Sequence, residues 1–166
     1  MKRVLVPIDA SAHCLQALRA TLRDGAGAIE RIELLNVQPR LHRHISRWVS
    51  RADRDGWRAQ RAQAAMAPAR RMLEGSGISW GAHTATGPVG TAIASAAREL
   101  RCDEIVLGAA RRGALGRLLA NSVTAQLLES STVPVRVVPG PAAPRYERLA
   151  LPAGLGLIAL LILADE

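Results

Sequence analysis

Residues 103–138 run DEIVLGAARRGALGRLLANSVTAQLLESSTVPVRVV. The apolar run Ile105-Val106-Leu107 stops at Gly108, as a buried strand does where the backbone must turn sharply. Asn121 and Ser122 stand before Val123, Gln126 and Leu127, which recur at helical spacing, so they are natural caps of a helix N-terminus. Free backbone N–H groups at such an end can hold an anion. The intervening loop keeps Gly113 and Gly116, and VPVRVV at 133–138 closes the stretch as a second strand. Strand, glycine-bearing loop, helix and strand in that order form one unit of a parallel α/β sheet.

Outward from this unit the same alternation repeats. RVLVPI at 3–8 is strand-like, Asp9-Ala10-Ser11 turns the chain, and Leu15, Leu18 and Leu22 recur at helical spacing. Gly25 and Gly27 are helix stops ahead of a strand over 32–37. The segment 57–73 is rich in Ala, Arg and Gln and predicts a helix, with Pro68 inside it predicting a kink or break. A strand over 78–84 follows, and Gly87-Pro88 then leads into a helix carrying Ile93, Ala97 and Leu100. This alternation argues for an open α/β fold whose parallel sheet has helices on both faces.

The 103–138 segment resembles the signature end of the universal stress protein family, whose nucleotide-binding members carry G-x2-G-x9-G-[S/T], then Val, a short helix and a P-V-x-V-V strand. Gly108 matches the first glycine, Ser122 the hydroxyl, Val123 the residue after it, and Pro134-Val135-Arg136-Val137-Val138 the closing strand. Arg111 and Asn121 stand where the family has its second and third glycines. VLVPIDAS, with Pro7 and Asp9, looks like the family's first strand and ribose-side aspartate. LLNV looks like its second strand, ending at Val37 where binders line an adenine pocket, and Gly87-Pro88 looks like its turn before the next helix. The likeness covers roughly residues 2–139. It implies sheet order 3-2-1-4-5, an ATP-type nucleotide with magnesium at the switch point, and a homodimer paired through the Val133–Val138 strand. In such sheets ligands bind beyond the carboxyl ends of the strands where the order reverses, which is where Asp9 and Gly108 fall.

Each of these residues also has a plain structural role. Asp9 fits the first turn of a helix, Val37 a core position, and Ser122 a helix cap. Arg111 bears most on the ligand. A side chain in left-handed backbone costs roughly 1–2 kcal/mol, about tenfold in affinity. Its guanidinium, with Arg112 and Arg117 near it in sequence, could instead pair with phosphate. Asn121 tolerates that geometry better than other non-glycine residues.

Composition narrows the rest. The chain has 166 residues and a net charge of +8, with Lys2 its only lysine. That length suits one ordinary domain over 1–140 and leaves 141–166 as an apolar tail. Cys14 and Cys102 form no C-x-x-C pair, and no cleavable apolar leader precedes the first strand, so a reducing, cytoplasmic setting is the default. Three Trp, one Tyr and no Phe give no platform for stacking bases, so nucleic acid is an unlikely partner. Residues 38–55 make a long connection crowded with arginine, and His42 and His44 in it lack companion ligands for a metal. Asp53 and Asp55 lack the distal glutamate of a calcium loop and better fit capping of the next helix.

No catalytic residues are assigned. A Walker-type phosphate loop is absent, and so are the H-x-G-H and S-G-G-x-D-S adenylation signatures. His13 and Cys14 are adjacent in sequence and point about 100 degrees apart on a helix. The expected protein is a non-enzymatic regulatory or protective dimer with a nucleotide site. The alternative is a dimeric interaction protein of the same fold that binds none, associated with a membrane through its tail. That tail, Leu149–Ala164, is sixteen residues without a charge. As a helix it would span about 24 Å against about 30 Å of hydrocarbon, so it would insert with local thinning or bury itself in an oligomer.

Overall fold

A computed structural model describes residues 1–25, 27–38, 50–109 and 123–140. In chain order the elements are β1 (Lys2–Pro7), α1 (Ala12–Asp24), β2 (Ile29–Gln38), α2 (Arg51–Glu74), β3 (Ser79–Thr86), α3 (Val89–Glu99), β4 (Glu104–Ala109), α4 (Val123–Ser130) and β5 (Val135–Pro139). The strands form one parallel sheet in the order β3-β2-β1-β4-β5, the order that the family resemblance implies. Arg111, Asn121, Ser122, the arginine-rich stretch before Ser50 and the tail lie outside the described residues.

Alternation along the strands sorts the core into two layers. Val4, Val6, Ile8, Ile32, Leu34 and Val106 point to one face, where Cys14, Ala17 and Leu18 of α1 and Ala62, Met66, Ala69 and Leu73 of α2 cover them. Leu5, Leu35, Ile105 and Leu107 point to the other, under Ile93, Ala94 and Ala97 of α3 and Leu127 of α4. Gly90 lets α3 and α4 touch, because a Cβ there would lie 2.7 Å from Gln126 Cβ.

Several boundaries differ from expectation. α2 begins at Arg51, so the long connection is shorter than the span 38–55. Its cap is Ser50 rather than an aspartate: the hydroxyl accepts from the Asp53 amide at 3.1 Å and donates to the Asp53 carboxylate at 2.6 Å. Asp55 pairs instead with Arg58 at 3.3 Å. The helix also runs through Pro68 without a break. Met66, Ala69 and Leu73 seat that stretch on the sheet, and their burial outweighs the lost N–H, which costs about 3 kcal/mol. α3 ends in a Schellman closure, with Cys102 N donating to Ala97 O at 2.8 Å and Arg101 N to Arg98 O at 3.0 Å. Arg101 takes the left-handed position, φ 52°, where glycine is usual.

One charged group is embedded in the sheet. Glu33 on β2 has a side chain only 4 % exposed, with Arg31 Nε at 2.7 Å and His83 Nε2 of β3 at 2.8 Å. Gly81 makes the room, since a Cβ there would collide with the Glu33 carboxylate. Burial alone would raise the Glu33 pKa, but hydrogen bonds from His83 and Arg31, and their charges, bring it below the ordinary value.

Because the folded carboxyl titrates below the unfolded one, Glu33 stabilises the fold above its unfolded pKa of about 4.3, and this is lost as pH falls through the lower folded value. Glu33→Gln should cost about 1–3 kcal/mol at pH 7 and much less near pH 3. Urea unfolding at the two pH values checks this, and an equal loss at both would show that the charge contributes nothing.

Candidate functional site

The sheet parts at its middle. After a shift between Lys2 and Arg3, β1 and β2 stay in register from Arg3–Arg31 to Pro7–Leu35, and Ile8 N extends the ladder to Leu35 O at 2.8 Å. β1 and β4 register only at Val4–Glu104 and Leu5–Ile105. β4 meanwhile remains paired with β5 up to Ala109–Pro139, and Gly140 N donates to Ala109 O at 2.7 Å. Above Leu5 the two central strands therefore diverge, at the point where strand order reverses and open α/β sheets bind ligands.

The first turn of α1 seats itself against β4 there. A Cβ on Gly108 would run into the His13 carbonyl group and come within 2.8 Å of Cys14 N. A Cβ on Gly140 would strike the His13 imidazole, whose Nδ1 is buried without a hydrogen-bond partner. Gly108, expected as a phosphate-loop glycine, thus has a packing cause of its own: α1 could not approach this closely over any side chain.

Between β1 and α1 the chain makes a tight turn. Asp9 accepts from Ser11 N at 2.9 Å, and Ser11 caps α1, its hydroxyl accepting from Cys14 N at 3.4 Å. Ala10, between them, is left-handed at φ 69°, a conformation that costs an alanine roughly 1–2 kcal/mol. Partial burial would raise the Asp9 pKa, but hydrogen bonds from the Ser11 side chain and backbone and from Cys14 hold it below the ordinary value. The carboxylate is ionised at neutral pH, exposed, and beside the positive end of α1.

Of the residues expected at the site, the structure places Pro7, Asp9 and Gly108 at the ends of neighbouring strands. Val37, on the other side of β1, is half-buried and packs on the second core layer with Ala85 and Val89. Val123 opens α4 and is partly exposed. Sequence reading missed Asn36 and Gln38, both buried at the end of β2. Their signal was phase: they fall on the same alternation as Ile32 and Leu34.

Neither described thiol is set up as a nucleophile. Burial raises the Cys14 thiol, and burial together with the Glu33 charge pushes Cys102 up to about 11, so both thiols stay protonated at neutral pH. No cluster of His, Cys, Asp or Glu fit for a metal occurs among the described residues. A groove lined by Met1, Leu22, Ile29, Met72 and Ile78 lies at the opposite end of the sheet.

Comparison with known proteins gives a consistent picture. The model of the universal stress protein family matches residues 1–139. Among solved structures, hypothetical protein MJ0577 is 23 % identical with TM-score 0.67, over 86 % of this chain and 98 % of that one. A universal stress protein family protein of Arabidopsis thaliana with AMP bound is 21 % identical with TM-score 0.63, over 86 % and 94 %. A universal stress protein in complex with cAMP is 20 % identical with TM-score 0.57, over 82 % and 95 %. No curated protein matches.

If Gly108 serves packing, Gly108→Ala should destabilise the protein by about 1–3 kcal/mol with no ligand present, as overpacked sites do. Thermal unfolding of the ligand-free variant measures it. An unchanged midpoint would mean that α1 can shift away from β4 freely.

Proposed function

The chain belongs to the universal stress protein family, and on that premise we propose that it is a non-enzymatic regulatory or protective protein whose strand-end crevice takes an ATP-type nucleotide. The observation that carries this is the parting of β1 and β4 with the ionised Asp9 at its mouth. The AMP-bound and cAMP-bound structures of the same fold support an adenine nucleotide. Asp9 would accept from the ribose hydroxyls and the loop from Gly108 to Ser122 would hold phosphate, with magnesium arriving on the phosphates. A cytoplasmic location goes with this reading.

A second reading has its own observation. The face of Gly108 turned toward α1 is filled by His13, and Arg111 and Asn121 replace two glycines, so the fold can also serve as a dimeric interaction protein without nucleotide. In either reading the dimer forms through β5, an edge strand on which Val137 is 42 % exposed. The tail Leu149–Ala164 supplies the membrane contact in this second reading. Among the described residues no helix is long and apolar enough to cross a membrane.

Calorimetric titration with ATP and magnesium separates the two. Weak binding is expected in the wild type, strengthened about tenfold when Arg111→Gly and Asn121→Gly are combined. Tight wild-type binding that the double change leaves unaltered would make Arg111 a phosphate ligand, and no binding by either protein would leave the interaction reading.

For the dimer, Val135→Pro removes a backbone donor from the edge. Sedimentation should show a wild-type dimer at micromolar concentration and a weakened one in the variant. A monomeric wild type overturns the assignment.

A further inference from the structure

Two buried amides lie under the Asp9 turn. Asn36 is 3 % exposed and Gln38 8 %, both on β2 and both on the face that the first core layer covers below them. Asn36 Nδ2 donates to the Ile8 carbonyl at 2.6 Å, and Asn36 Oδ1 accepts from Gln38 Nε2 at 2.5 Å. Gln38 is held in turn at the strand end, where its carbonyl accepts from Gly87 N at 3.1 Å. Apolar residues would fill these positions more cheaply, since a buried amide must find partners for its donors and its acceptor.

Their placement gives the reason. Ile8, the residue just after β1, makes the last backbone bond to β2 through its amide, and its carbonyl is the group from which the chain departs into Asp9. From there Asp9 is tied forward to Ser11 N, with left-handed Ala10 in between. The turn is strained, short and gripped at two points, by the α1 cap ahead and by Asn36 behind. Release at either point would let Ala10 return to ordinary backbone and swing the Asp9 carboxylate away from the crevice.

We propose that Asn36, fixed in orientation by Gln38, is the positioning residue of the strand-end site: its amide clamps the Ile8 carbonyl and so holds Asp9 toward the crevice against the strain at Ala10. This rests on the nucleotide reading above for what Asp9 binds, but the clamp itself can be tested without ligand. Asn36→Asp keeps the shape and replaces the donor by an oxygen that repels the carbonyl. Amide hydrogen exchange at Ser11, whose N–H reports the turn directly, should speed about tenfold while Val6 and Leu34 in the sheet keep their protection, and ATP affinity should fall about tenfold, each equivalent to about 1.4 kcal/mol. Adding Ala10→Gly removes the strain and should recover at least half of both losses on a logarithmic scale, which a merely structural asparagine would not produce. If Asn36→Asp fails to fold, Gln38→Leu leaves the clamp in place but loosens its orientation, and should shift Ser11 exchange in the same direction by a smaller factor. Unchanged Ser11 exchange in these variants, or effects of Asn36→Asp and Ala10→Gly that simply add, would overturn the proposal. A wild type that takes no nucleotide would overturn the reading of the crevice instead, and Ser11 exchange would still decide the clamp.

Discussion

The close approach of α1 to β4 is the constraint on which the upper half of the molecule depends. A helix normally rides on a sheet through side chains, about 10 Å from the strands. Here the first turn of α1 meets backbone at Gly108, and the His13 ring lies on Gly140. That seat fixes where α1 begins, and hence how few residues connect it to β1. The left-handed Ala10 and the Ser11 cap follow from that short connection.

The lower half is organised by a different economy. At the N-terminal ends of the strands, charged side chains add to the backbone bonds that join neighbouring strands, such as Asp103 N to Arg3 O at 2.8 Å. Arg136 reaches both Asp24 and Glu104, at 2.7 and 2.9 Å, joining β5 to α1 and β4. Arg3 N donates to Asp103 at 2.7 Å, and its guanidinium donates to the Leu100 carbonyl at 3.0 Å. Surface pairs of this kind contribute little one by one, and they add to the backbone ladder that holds the strands in register.

Most of the fold was legible because the strand and helix periods are clean. The runs at 3–8 and 105–107, and the glycines between elements, placed every strand, and the family likeness supplied an order that periodicity cannot. What escaped were features set by tertiary packing. Pro68 argued for a break that burial of Met66, Ala69 and Leu73 overrides. Ser50 rather than Asp53 caps α2, because local composition does not say which of two good caps the chain will use. At the site, Asp9 and Gly108 could be placed at strand ends from sequence, while the two causes for Gly108, ligand approach and helix approach, leave the same letter. Asn36 and Gln38 were hidden for a related reason: polar residues near a strand end look like the start of a loop, and only their alternation with Ile32 and Leu34 marks them as inward.

The Glu33 group also bears on what the sheet does in company. An open parallel sheet has two rims, and if both accepted strands, molecules would add one after another into a fibre rather than stop at a closed assembly. β3 is the longer rim, Ser79–Thr86 against Val135–Pro139, and it carries no proline to discourage addition. Behind it, however, Arg31 and His83 each keep about a third of their side-chain surface in water while holding Glu33. A strand laid along β3 would crowd that surface and take water from a charged set already half out of solvent. The buried carboxylate therefore weighs against strand addition along β3.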